Sequence, residues 1–318
     1  MRIRSVFPIA GFAFLVTGTS PLAHAATQRA FVATTGNDAN AAQNCSRVAP
    51  CRSFAVAIGV TDPGGSVVVL DSGGYGAVTI TSSVAIIAPP GVHAAITATS
   101  GQPGIVVNAP GLSVTLRGLY VEGKGFGSHG IEYHLQDNSA LFVENVVVDG
   151  FAGNGLSMTR GVTLMHAELV VQDSTFRNNG ASGIYLTNDD VFYILFPREA
   201  ILIENTRVTH NQYGIVSDGG HALIRNSVVA DGSEVGIWAR AGDGPAKLVV
   251  TGSAVYRYQT GIQVSNGAGI EIGSSSVTRN NTGRYLDVTG SLITRTGNVF
   301  SDSATAPGPL RFRRNSAV

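Results

Sequence analysis

At 318 residues, with a formal net charge of zero and 13% charged residues, the chain offers no basic field that would draw it to nucleic acid or anionic lipid. Lysine occurs only at Lys124 and Lys247, and 40 glycines suit a chain that turns often. The length allows one or two compact domains, but a repeat running through most of it favours one elongated domain.

In chain order, residues 1–25 read as an export signal: Arg2 and Arg4, an apolar stretch over residues 6–16, then Ala23-His24-Ala25 as a small-x-small cleavage site. That stretch is shorter than the roughly 20 residues a spanning helix needs. The mature chain is therefore expected to lack a membrane span and to be secreted, to the periplasm or beyond. Cys45 and Cys51 are the only cysteines, and in an oxidising compartment they are expected to form a local disulfide. Residues 26–64 should comprise a short strand over 30–34, the disulfide loop and a helix of about two turns. Ser53 would be its N-cap, and Phe54, Ala57 and Ile58 would line one face, covering the N-terminal end of the core.

Two incomplete coils follow, and then a repeat takes over. A Gly-apolar step recurs at Gly104, Gly130, Gly155, Gly183, Gly214, Gly236, Gly261 and, degenerately, Gly283, at intervals of 22 to 31 residues. Such a period marks a solenoid. Apolar spacing of two, rich in Val, Ile and Thr, makes the repeating units strands rather than helix pairs. A second column, Asn145, Asp173, Asn205, Asn226, Gly252 and Ser274, precedes each step, with an inward residue three further on, such as Phe176, Val208 or Val229. Asn and Asp tolerate left-handed φ and bond their own backbone, so this column is expected to be an asparagine ladder at a turn.

Together these columns resemble the right-handed parallel β-helix of the pectate-lyase-like superfamily, over about residues 65–302. The opening segment FVATTGNDAN through CRSFAVAI, with DSGGYGAVTIT, is similar to the start of many secreted bacterial β-helix proteins. The resemblance implies an all-β fold with an N-terminal capping helix, and a sugar cleft on the sheet that begins at each Gly-Ile step. A Pro- and Arg-rich tail, residues 303–318, lies beyond the repeat and carries no alternating membrane strands.

Alternation sends two columns outward on that sheet: Glu132, Ser157, Tyr185, Val216, Trp238 and Gln263, then His134, Thr159, Thr187, Asp218, Arg240 and Ser265. Tyr185 and Trp238 would stand two rungs apart, roughly 10 Å, and could contact different sugars of one chain. Alternatively Trp238, the only tryptophan, is covered by the insertion at residues 188–198. Asp218 and Arg240 share a column, so one reading is an ion pair. The sharper reading makes Arg240 and Asp218 catalytic, with Arg240 holding or deprotonating a uronate and Asp189, Asp190 and Asp218 ligating calcium. Glu132 and His134 complete the substrate-binding set. A corner stack of His210, Asp231, Arg257 and Arg279 could place a base beside its orienting acid, or form a ladder of complementary charges.

Gly127-Ser128-His129-Gly130 resembles an element of polygalacturonases, and Asn188-Asp189-Asp190 their aspartate pair, but the order is reversed and no Arg-x-Lys follows. The Arg-x-Pro-x-x-Arg element of family-one pectate lyases is absent. The functional expectation is a secreted, monomeric β-helix protein that binds, or binds and cleaves, an extracellular or periplasmic polysaccharide. The competing expectation is a non-catalytic structural or adhesive rod.

Overall fold

The structure, a computed structural model, describes residues 26–134, 136, 138–159, 167–187, 199–242, 246–286 and 290–301. The expected export signal, the insertion at 188–198 with Asp189 and Asp190, and the C-terminal tail lie outside the described residues. Among the described residues, thirty strands fall into three sheets, called here the eleven-, ten- and nine-strand faces. Each coil visits the three in that order before returning one rung higher. Strands pair in parallel with their equivalents on neighbouring rungs, as Leu169, Ile201, Ala222 and Leu248 do on the eleven-strand face. Stacking of this kind satisfies backbone groups that no short strand satisfies alone.

Alternation fills the interior. In the strand Glu199–Glu204, Ile201 and Ile203 are buried, and Val208, Val229, Val255 and Val277 form an inward column on the ten-strand face. The Gly column is needed for close approach rather than for unusual φ. A Cβ on Gly183 would strike Val208, and one on Gly214 would strike Val229 and the Gly236 carbonyl.

The turn column behaves differently from the expected asparagine ladder. Asn145, Asp173, Asn205, Asn226, Gly252 and Ser274 all have φ between 49° and 60°, but each is exposed. The ladder is built by the next residue, which points inward. The Oγ of Ser174 accepts the Val146 N–H, that of Ser227 the Thr206 N–H, and that of Ser253 the Ser227 N–H. Ser275 does the same for Ser253, and Asn298 for Ser275. Stacked amides do occur, at the following corner. There Asn178, His210, Asp231, Arg257 and Arg279 take φ of 57° to 61° and again hand an inward position to the next residue. Asn211 Oδ1 accepts from both the backbone and the side-chain amide of Asn179, at 3.0 and 2.9 Å.

At the N-terminal end the helix α1 (Phe54–Gly59) is capped by Ser53, whose Oγ accepts the Val56 N–H. Its buried residues Phe54, Ala57 and Ile58 face the core, and the helix packs on the strands Thr27–Val32, Thr61–Val69 and Val78–Ile80. Cys45 and Cys51 form a disulfide with both residues buried. Among the described residues no helix is long and apolar enough to cross a membrane.

Candidate functional site

The nine-strand face carries the expected outward columns in register. Glu132 pairs with Ser157, Ser157 with Tyr185, Tyr185 with Val216, Val216 with Trp238 and Trp238 with Gln263. Thr187, Asp218, Arg240 and Ser265 form the parallel column. Pointing outward does not leave all of them open. Ser157, Thr187, Val216, Asp218 and Ser265 are buried, whereas Glu132, His134, Tyr185, Trp238, Arg240 and Gln263 remain partly exposed.

Asp218 is the centre of one cluster. Its Oδ2 meets Arg240 Nη2 at 2.8 Å and accepts the Tyr185 hydroxyl at 3.1 Å, and its Oδ1 accepts the Gly242 N–H at 3.0 Å. The Arg240 guanidinium also lies 4.8 Å from the centre of the Trp238 ring, a cation–π arrangement. The indole N–H donates to Ser265 Oγ at 2.9 Å, and the Tyr213 ring stands 5.8 Å away. Burial opposes the charge on Arg240, but hydrogen bonding to Tyr185 and the Asp218 carboxylate outweigh it and raise its pKa. Burial likewise pushes the Tyr185 phenol up. The group is a fixed cation beside an aromatic face rather than a proton acceptor. Two buried polar atoms within it, Arg240 Nε and Thr187 Oγ1, have no hydrogen-bond partner among the described residues.

Glu132 is the centre of a second cluster, three rungs and about 14 Å along the axis from Asp218. His134 Nε2 lies 3.4 Å from Glu132 Oε2, and His129 Nε2 lies 3.9 Å from Oε1. His129 Nδ1 accepts the Asn154 backbone N–H at 2.9 Å, so the neutral ring carries its proton on Nε2, towards Glu132. Burial lowers the His129 pKa, with Glu132 opposing. A ring held in that tautomer cannot also give Nε2 to a metal. His129 stands outside the two outward columns, so alternation does not mark it as a partner of Glu132; its spacing, three residues before the outward acid, does.

The expected calcium set is reduced to Asp218 within the described residues, since Asp189 and Asp190 lie outside them. Both Asp218 oxygens are engaged by donors, and a cation there would have to displace Arg240. Among the described residues no group of three His, Cys, Asp or Glu could hold a metal ion. The corner stack is a ladder of charges: Arg257 bonds Asp231 through two nitrogens, and this pairing holds the Asp231 carboxyl below the usual carboxylate range.

The family model described as "Right handed beta helix region" matches residues 194–308. Among solved structures the chain is similar to pectate lyase Pel9A at a TM-score of 0.60 and 15% identity, over 89% of this chain and 79% of that one. It is also similar to the A-module of the Azotobacter vinelandii mannuronan C-5 epimerase AlgE4, at 0.52 and 14%, over 78% and 90%. A third likeness is to the GH136 lacto-N-biosidase of Eubacterium ramulus, at 0.51 and 11%, over 88% and 66%. Comparison with curated proteins yields no match.

Proposed function

We propose that this chain, which folds as a right-handed parallel β-helix, binds a polysaccharide along its nine-strand face. The observation that carries this reading is the Arg240 cluster. A cation and an aromatic ring share one patch, and two buried polar atoms there, Arg240 Nε and Thr187 Oγ1, have no hydrogen-bond partner among the described residues. A sugar can supply both complements, its apolar face to Trp238 and its hydroxyl or carboxylate oxygens to Arg240 and Thr187. Tyr185, two rungs towards the N-terminus, would meet a neighbouring sugar, and Glu132 and His134 would accept and donate to hydroxyls further along. The pectate lyase and the mannuronan epimerase carry polysaccharides in their names, and this reading extends that class of ligand to the present chain.

The two acidic clusters lie too far apart to act as a cleaving pair. Glu132 and Asp218 are about 14 Å apart along the axis, beyond the roughly 5–10 Å that paired glycosidase carboxylates span. Arg240 has a raised pKa and a committed partner, so it anchors charge rather than removing a proton. The Trp238 indole is already bonded to Ser265 and stacked by Arg240, which favours the structural rod as the second reading. A panel of soluble neutral and uronate polysaccharides tests both: retardation by one polymer without release of unsaturated, ultraviolet-absorbing ends supports binding. Unsaturated ends would restore the lyase reading, and no retardation by any polymer would leave the rod.

A further inference from the structure

The outward middle column of the eleven-strand face runs Phe142, Val170, Leu202, Leu223 and Val249 on five successive rungs. All five are partly exposed. A groove of about 580 Å³ lies over it, lined in part by Leu202, Leu223 and Val249. Water-facing strands ordinarily alternate to polar side chains here, and a continuous apolar patch marks an interaction surface.

The charges flanking the stripe are arranged unevenly. On one side Glu168 lies one rung before Leu202, and Lys247 two rungs after it. On the other side Glu204 and Arg225 sit on the Leu202 and Leu223 rungs and pair at 2.7 Å. We propose that this face pairs with the same face of a second copy, the two rods running antiparallel about a twofold axis that lies along the strands, between the Leu202 and Leu223 rungs.

That axis exchanges each rung with its mirror rung. Leu202 meets Leu223 of the second copy and Val170 meets Val249, so the four central rungs of the stripe cover one another, while Phe142 at its end meets Glu271, whose carboxylate is held by Arg295. Lys247 meets Glu168, and Glu204 with Arg225 meets the same pair reversed, giving an alternating four-charge group. Moving the axis onto the Leu202 rung would set Lys247 against Ala140 and forfeit the match. At the rim Arg117 would face Arg295, each already neutralised by its own glutamate, Glu144 and Glu271. A self-complementary patch of this kind is what a twofold interface requires. Eight rungs overlap, a footprint of about 34 by 17 Å at strand spacing and five residues per strand. That is roughly 600 Å² for each copy, near the lower end of specific interfaces, so the pair should form in the micromolar range.

Sedimentation of the wild-type protein from about 1 to 200 µM should show a monomer–dimer equilibrium. Leu223→Glu, which changes an outward residue, should weaken the dimer by at least about tenfold. Lys247→Glu should weaken it too, and adding Glu168→Lys in the same chain should restore it. If Leu223→Glu fails to fold by circular dichroism, the exposed charge swap still carries the test. A wild type that stays monomeric throughout, or a dimer indifferent to both changes, would overturn the proposal.

Discussion

Ser227→Ala probes the element that the turns depend on. Ser227 is 1% exposed, donates its hydroxyl to the Arg225 carbonyl at 2.9 Å and accepts the Thr206 N–H at 3.2 Å. Alanine keeps nearly the same volume, so the change opens little cavity. It leaves a buried N–H and a carbonyl without that partner, a cost of about 1–3 kcal/mol. Taking about 2 kcal/mol, a domain of this size should melt roughly 4–8 °C lower. The control is Asn205→Gly. Asn205 has φ of 49° and an exposed side chain, and Gly252 fills the equivalent turn two rungs on, so glycine should change stability by less than about 0.5 kcal/mol. Thermal melts followed by circular dichroism read both. If Ser227→Ala melts like the parent while Asn205→Gly loses several degrees, the exposed amide column is the ladder and the reasoning fails.

Stability should also fall in two stages on acidification. Burial holds His129 and His221 below their ordinary pKa, with Lys247 reinforcing the effect at His221. The unfolded chain therefore takes up protons first as pH drops through about 6.5, and stability starts to decline there. At Asp149 burial acts to raise the pKa but is overcome by hydrogen bonds from Asn178, Tyr120 and Arg177; at Glu271 Arg295 lowers it directly. Their contribution is present above about pH 4 and is lost as pH falls through the depressed folded values. Denaturant titrations from pH 8 to 3 check this; a stability maximum near pH 5 would contradict it. Reducing the Cys45–Cys51 bridge, a loop with a separation of only six residues, should cost about 2 kcal/mol by loop entropy. Unchanged melting in reductant would show the bridge to be incidental.

The register of the nine-strand face was legible from sequence because glycine punctuates each coil and period-two alternation then places every side chain. The Asp218–Arg240 pair followed from the same register, and the disulfide from there being only two cysteines, six residues apart, in a chain with an expected export signal. The hydroxyl ladder was missed because Asn and Asp advertise a left-handed turn, whereas the Ser or Thr one place later looks like any polar residue beside a strand. The apolar stripe was missed for a different reason. In runs such as ELVVQ and KLVVT, consecutive apolar residues hide which ones face inward, and only the pairing of Val170 with Leu202 and of Leu223 with Val249 separates them. The burial of Ser157, Thr187 and Asp218 was equally hidden, since alternation gives a direction and not a degree of cover.

The most direct test of the sugar-binding claim uses the only tryptophan, Trp238, as its own reporter. Its ring lies under the Arg240 guanidinium and beside Tyr213, so a ligand entering that patch must change its surroundings. Titrating the wild type with the polysaccharide that retards it should shift or quench the emission saturably, and Arg240→Ala should weaken the apparent affinity by about tenfold or more while the fold persists. An emission spectrum unmoved by a polymer that demonstrably binds would place the binding surface elsewhere on the rod and contradict the assignment of the nine-strand face.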